Sequence, residues 1–168
     1  MLRYLDVQNI LDKNDLILQE SGCVGSENER GNTYMKKIGI VTDSHSSISQ
    51  EEAKKLGIFV LPMPFYIDGE CYYESVTLSR ELFFEKLTSG ADISTSQPSP
   101  TAVMEIWDKA LEEYEKILYM PISSGLSSSY NTAMMLAQEE KYEGRVLVVD
   151  DGQVAAPLHQ MILDTLDM

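Results

Sequence analysis

From Met35 onward the chain alternates short unbroken apolar runs with longer segments whose apolar residues recur every three or four positions. The unbroken runs are "KIGIVT" at 37–42, "IFVLPMP" at 58–64, "KILYMP" at 116–121 and "RVLVVD" at 145–150. They read as strands buried on both faces, which lose the in–out alternation of a half-exposed strand. The two prolines in the second run put it near an edge or at a bend. The periodic segments predict helices. Over 49–57, Ser49 and Glu52 make a capping box and Gly57 supplies the stop. A helix over 79–88 carries Leu82, Phe83 and Leu87 and closes at Gly90. Ser99 caps a third, with Pro100 at its first position, running to about Glu115 and turning Val103, Ile106, Trp107 and Ala110 inward. A fourth spans 128–140 with Tyr130, Ala133, Met134 and Ala137 inward, and a last one runs to the C-terminus. "IDGECYY" contains the Asp-Gly of a hairpin turn. Strands separated by helices predict an α/β fold, a mostly parallel sheet flanked by helices with right-handed crossovers. Ligands of such sheets bind beyond the carboxyl ends of the strands. "TDSHSS", "SSGLSSS" and "DDGQ" fall at such ends, whereas "TSQPS" opens a helix without following a strand.

The first 34 residues have a different character. Leu2, Leu5, Ile10, Leu11, Leu16 and Ile17 make an imperfect helical pattern, and "ESGCVGSENERGNTY" at 20–34 is polar and linker-like. The expected division is an N-terminal extension and linker over 1–34 and one α/β domain over 35–168. At 168 residues and 43% apolar the chain can bury a core. Cys23 and Cys71 form neither a disulfide framework nor a metal spacing, which fits a cytoplasmic protein. No apolar run approaches the ~20 residues of a membrane span, so no stable membrane insertion is expected. Acids inside the first apolar stretch are unlike a secretory signal.

Charge narrows the function. Lys and Arg number 13 against 27 Asp and Glu, a net charge of −14. Such a surface repels nucleic acid and anionic membranes. A site for an anion must then be built locally, from oriented N–H and O–H groups. Two uncharged hydroxyl segments, "TSQPSP" at 95–100 and "SSGLSSS" at 123–129, each lead into a helix, whose first N–H groups lack partners and favour an anion. Ser127 and Ser128 at the start of one helix, and the hydroxyl segment Thr95 to Ser99 before the other, are the candidate cradle for a small anionic head group. The plainer reading of Ser127 is an N-cap of its own helix. An alternative function is a small serine hydrolase with Ser127 as nucleophile and His45 as base, although "GLSSS" lacks the closing glycine of a nucleophile elbow. Asp43, His45 and the Asp150–Asp151 pair have no recognised metal spacing, and no phosphate-binding glycine loop is present, so neither metal nor cofactor is expected.

With these segments laid out, residues 35 to about 165 resemble the DegV family of bacterial fatty-acid-binding proteins. "IGIVTDSHSSIS" matches a family strand followed by T-D-S-T/S. "GIFVLPMPFYIDGECYYE" matches a stretch with a Pro and a following D-G. "STSQPSP" matches T-S-Q-P-S, and "PISSGLSSSYNTA" matches l-S-S-x-L-S-G-T-Y-x-x-A. The last two motifs, in this order and at this separation, are the specific ones. Ser128 and Ser129 stand where the family pattern has Gly and Thr. The resemblance implies a carrier and not an enzyme: a long-chain fatty acid whose carboxylate is hydrogen-bonded by Thr95 and Ser127, presented to a fatty-acid kinase. It also implies a second domain closing over the ligand. The chain reaches Met168 where a family protein would enter that domain, so the expectation is a first domain alone, with a truncated, non-binding remnant as the remaining alternative.

Overall fold

The computed structural model describes residues 36–73 and 76–168. The expected extension over 1–34 lies outside the described residues. The chain enters as β1 (Lys36–Asp43), makes a 3-10 turn (Ser44–Ser46) and continues into α1 (Gln50–Leu56) and β2 (Phe59–Leu61). Then come β3 (Pro64–Ile67), β4 (Glu70–Tyr73), α2 (Arg80–Thr88), β5 (Ile93–Thr95) and α3 (Pro100–Leu111). β6 (Tyr114–Met120), α4 (Ser129–Leu136), β7 (Val146–Val148) and α5 (Ala156–Leu166) complete it.

Four strands form the parallel sheet that the apolar runs predict, in the order β2-β1-β6-β7. Because the runs are apolar at consecutive positions, each strand feeds two cores. Val41, Ile117 and Tyr119 face α3 and α4 with Trp107, Ala110 and Ala133. Ile40, Leu118 and Met120 face the opposite side with Ala53 of α1 and Leu158 and Ile162 of α5. Trp107 is fully buried, edge-on to Tyr119 at 5.5 Å and to Tyr142 at 5.2 Å between ring centres. An aromatic of this size buries roughly 150–250 Å², which at about 25 cal/mol per Å² makes it worth some 4–6 kcal/mol of transfer free energy. The capping signals act where the sequence has them. Ser49 Oγ accepts the Glu52 N–H at 3.1 Å, Gly57 ends α1 at φ 71°, and Ser99 Oγ accepts the Ala102 N–H at 3.2 Å with Pro100 as first helical residue.

Four local expectations need correction. The apolar run 58–64 is not one strand. It breaks at Pro62 and Met63, leaving β2 at the edge of the parallel sheet, and Pro64 starts a strand of another sheet. The acidic stretch after Ala110 is not a continuous helix face to Glu115. α3 stops at Leu111, and Tyr114 already pairs with Lys36 in β6, its phenol donating to the Gly57 carbonyl at 2.9 Å. α4 ends at Leu136, before a run of turns that returns Tyr142 to the core against Trp107. Finally, "TSQPS" does follow a strand: Thr95 is the last residue of β5. β5 and β4 flank β3 in a second, antiparallel sheet of three strands, order β4-β3-β5. The hairpin expected from Asp-Gly is there, Asp68 and Gly69 both at positive φ (51° and 85°), the conformation a tight two-residue turn requires.

Buried polar groups organise the carboxyl end of the parallel sheet. Thr42 Oγ1 donates to the Met120 carbonyl at 2.8 Å. Asp43, fully buried, accepts the N–H of His45 at 2.9 Å and that of Ile122 at 2.8 Å. Asp151, also buried, accepts the Gln153 N–H at 2.8 Å with one carboxyl oxygen, while the other has no hydrogen-bond partner among the described residues. Burial, and then the nearby charges of Asp150 and Asp43, push the Asp151 carboxyl above the usual carboxylate range despite the Gln153 bond.

Two predictions follow from this packing. An alanine Cβ at Gly39 would meet the Tyr114 ring at 2.6 Å, far inside contact distance. Gly39→Ala should therefore cost about 1–3 kcal/mol in urea denaturation, as overpacking does. For Asp151 the folded state binds its proton more tightly than the unfolded chain. Its contribution is present at acid pH and is lost as pH rises through the raised folded value. Asp151→Asn cannot ionise, so the difference in melting temperature, variant minus parent, should move in the variant's favour between pH ~4 and pH ~7. A pH-independent difference would show that this carboxyl is not linked to stability.

Candidate functional site

Strand order places the site. The connections run outward from β1 to β2 on one side and from β6 to β7 on the other, so the chain reverses its winding between β1 and β6. A crevice opens beyond the carboxyl ends at such a point. Here Asp43 closes the base of the crevice by bridging the end of β1 to Ile122 beyond β6. The 3-10 turn leaves β1 at this spot, and Ser44 Oγ accepts the Met63 N–H at 3.1 Å. That bond pins the passage from β2 into β3, and so holds the small antiparallel sheet beside the end of the parallel one.

A cavity of about 360 Å³ lies between these two parts. Its wall is apolar: Met63, Pro64 and Phe65 from the start of β3, Ile93 from β5, and Leu78, Phe83 and Phe84 from α2 and its approach. Phe65 and Phe83 meet edge to face at 5.5 Å, which fixes α2 against β3. The polar lining consists of Ser44 and His45 at the end of β1, Ser79 at the cap of α2, and Thr95 at the end of β5. The volume and the mixture, a mostly hydrophobic wall with few polar groups, are those of a small-ligand pocket.

The two hydroxyls expected from the sequence are placed differently. Thr95 is exposed at the cavity wall. Ser127 lies just before α4 and outside the residues lining the cavity, half-buried, with its Oγ 2.7 Å from Ser129 Oγ and accepting the Ser129 N–H at 3.2 Å. Ser128, the N-cap position, places no side-chain hydrogen bond on α4. A bridge joins the two segments: Thr132 Oγ1 in the first turn of α4 donates to Gln97 Oε1 at 3.4 Å, two residues beyond Thr95. On the same rim, Ser124 bonds Asp150 through both its N–H and its hydroxyl. Burial alone would raise Asp150, but these bonds and the Gly152 N–H outweigh it and hold the carboxyl below its usual range.

His45 Nδ1 sits 3.4 Å from Asp43 Oδ1, an ion-pair separation. Tyr119 is fully buried behind it, and burial, reinforced by the Asp43 charge, pushes its phenol far above the usual range, so it stays neutral. Among the described residues no group of three or more His, Cys, Asp or Glu is arranged to hold a metal ion. Sequence reasoning missed the apolar wall. Phe83 was visible only as a helix-core residue, and Phe84, Phe65 and Ile93 carried no ligand signal, because a three-residue strand and a helix of weak amphipathicity give periodicity little to work on.

A family model described as an uncharacterised protein of the DegV family matches residues 37–168. A DegV domain-containing protein of Caldanaerobacter subterraneus subsp. tengcongensis is 34% identical over 116 residues, which cover 69% of this chain and 41% of the relative. A DegV domain-containing 15.5 kDa protein of Staphylococcus aureus is 31% identical over 134 residues, covering 80% of this chain and 94% of the relative. Among solved structures, a DegV family protein from Thermus thermophilus, described as binding fatty acid, superposes with a TM-score of 0.71 at 32% identity, covering 78% of this chain and 46% of that one. The chain thus spans less than half of two of these relatives and nearly all of the third. The four-stranded parallel order, the cavity at its carboxyl end and these matches have one reading: the chain belongs to the DegV family.

Proposed function

We propose that the cavity beside β1 holds the acyl chain of a long-chain fatty acid, with Thr95 and Ser127 hydrogen-bonding the carboxylate, and that the protein is a carrier presenting that carboxylate to a fatty-acid kinase in the cytoplasm. The observation that carries this reading is the cavity itself: a wall of Met63, Phe65, Phe83 and Ile93 ending at the Thr95 hydroxyl. Burying the chain stabilises by about 0.8 kcal/mol per methylene. The Thermus thermophilus relative, at 32% identity, is described as binding fatty acid. The Gln97–Thr132 bond supports a head group shared between the two hydroxyl segments, because it draws the start of α4 toward the loop after Thr95. The start of α4, where Ser128 makes no side-chain cap bond, adds a helix N-terminus whose dipole suits an anion. The net charge of −14 weighs against nucleic acid as a partner. Among the described residues no helix is long and apolar enough to cross a membrane. We place the binding unit within residues 35–168, with 1–34 as an extension to it.

Titration of the full chain with a fluorescent long-chain fatty acid tests the reading. Saturable binding by the parent is expected. Each hydrogen bond to a charged group is worth about 1.5–3 kcal/mol, so the Thr95→Val, Ser127→Ala double variant should bind roughly a hundredfold more weakly or worse, at tenfold per 1.4 kcal/mol. Equal binding by the double variant would overturn the head-group assignment. A parent that binds nothing would favour the remnant. A fluorophosphonate label on the parent that is lost in Ser127→Ala would favour the hydrolase.

A second measurement concerns the extension. Deleting residues 1–34 should leave both the fatty-acid affinity and the melting temperature close to those of the full chain, and a large drop in either would place the segment within the folded unit.

A further inference from the structure

Gln97 stands in the loop between β5 and α3, two residues beyond Thr95. Its backbone is held on both sides. The Ser96 N–H donates to the Pro64 carbonyl at 3.3 Å, the Ser96 hydroxyl donates to the Gln97 carbonyl at 3.1 Å, and Pro98 is buried. The exposed side chain reaches the other hydroxyl segment, where Gln97 Oε1 accepts from the Thr132 hydroxyl at 3.4 Å. Thr132 and Ser129 are three residues apart in α4 and so are neighbours on its surface. Ser129 Oγ in turn lies 2.7 Å from Ser127 Oγ. The carboxamide thus joins the Thr95 loop to the end of α4 that bears the Ser127–Ser129 pair.

The hydroxyls alone leave a carboxylate short of donors. An ionised carboxylate has about four acceptor sites, and a charge taken out of water is costly unless they are met. Thr95 supplies one hydrogen. In the Ser127–Ser129 pair one hydrogen lies between the two oxygens, which leaves one for a ligand. A carboxamide carries two N–H donors besides its oxygen. With Oε1 engaged by Thr132, both Nε2 donors of Gln97 are left over, and neither has a protein partner among the described residues. They bring no charge and do not titrate, so they serve an anion without a counter-ion in a chain of net charge −14.

We propose that Gln97 is a third contact to the ligand's head group: its Nε2–H donates to the fatty-acid carboxylate, and Thr132 holds the amide in the orientation that allows this. This rests on the reading of Thr95 and Ser127 as the head-group contacts. Gln97 is then a ligand-binding residue and Thr132 a positioning residue that acts only through it. A hydrogen bond to a charged group changes affinity by about tenfold or more, and one to a neutral group by less. Gln97 therefore favours an acid over an alcohol of equal chain length.

The test uses the full chain and an uncharged reporter, N-phenyl-1-naphthylamine, displaced in turn by hexadecanoic acid and by hexadecan-1-ol. Gln97→Ala should weaken acid binding by about tenfold and alcohol binding by clearly less, the alcohol reporting that the cavity is intact. Thr132→Val should lose part of the same acid affinity in the parent and nothing further in the Gln97→Ala background, while Thr132→Ser, which keeps the hydroxyl, should bind as the parent does. In the ¹⁵N-labelled parent the Gln97 side-chain amide signal, identified by its absence from Gln97→Ala, should move on addition of the acid. Unchanged acid affinity in Gln97→Ala would overturn the role of Gln97 and leave the fatty-acid reading standing. An equal loss for acid and alcohol, or an amide signal that the acid does not move, would make the residue a structural tie and overturn it too. A further loss on adding Thr132→Val to Gln97→Ala would overturn the positioning role of Thr132. A parent from which neither compound displaces the reporter would overturn the acyl site itself, and the role of Gln97 with it.

Discussion

The carboxylate of Asp43 accepts two backbone N–H groups from opposite sides of the sheet's central crevice, one from the turn that follows β1 and one from the exit of β6. Everything at the functional end hangs on that pair of bonds. A carboxylate buried in a sheet is tolerated only when its oxygens are met. The backbone beyond both strands must therefore come to it, and the 3-10 turn takes its shape from doing so. That turn presents Ser44 to the Met63 N–H, which fixes where β2 gives way to β3. It also presents His45 to the cavity and offers its carbonyl to the start of α5. Removing the carboxylate would leave the buried Ile122 N–H unpaired, at about 1–3 kcal/mol, together with the partly buried His45 N–H, and would loosen the connections that the turn organises.

The two sheets differ in how firmly they are built. The parallel sheet is covered on both faces, and its interior includes Trp107, Tyr119, Leu118 and Leu158 without measurable exposure or nearly so. The small antiparallel sheet has α2 on one side, and Leu82, Phe84 and Leu87 of that helix remain exposed. Binding surfaces are commonly drawn from the less stable parts of a fold, where contacts are few. The cavity spans that division: Ser44 and His45 stand at the end of the parallel sheet, while the apolar wall, with Ser79 and Thr95, belongs to the lighter part. A ligand that fills the cavity would add apolar contacts where the protein itself has fewest, and so stabilise this wall by mass action.

Electrostatics at the rim work by arrangement. Asp150 is held down by Ser124 and Gly152, Asp151 is pushed up by burial and by its neighbours, and Tyr119 is kept neutral. Two adjacent carboxyls, one of them bonded to Ser124 of the hydroxyl segment, are thus shifted in opposite directions. Local burial and hydrogen bonding set the direction in which each carboxyl shifts, within a molecule that is strongly acidic as a whole.

The parallel sheet was legible along the chain because consecutive apolar residues at 37–42, 116–121 and 145–150 have only one way to hide both of their faces. The caps Ser49 and Ser99, the stop at Gly57 and the Asp-Gly turn were legible for a similar reason: each is a backbone requirement met within four residues. The hydroxyl segments could be picked out as uncharged stretches in an acidic chain. What depends on partners distant in sequence was not legible. The run 58–64 looks uniform, yet a hydrogen bond from Met63 to Ser44, 19 residues earlier, divides it between two sheets. β5 has only three residues and becomes a strand through pairing with β3. α3 ends early because Tyr114 finds Lys36 and Gly57 across the fold. The apolar wall exists only once β3, β5 and α2 have been brought together. Sequence alone determined the elements whose causes are local, and tertiary structure decided their limits and the cavity, because those are set by pairings whose energy no single segment contains.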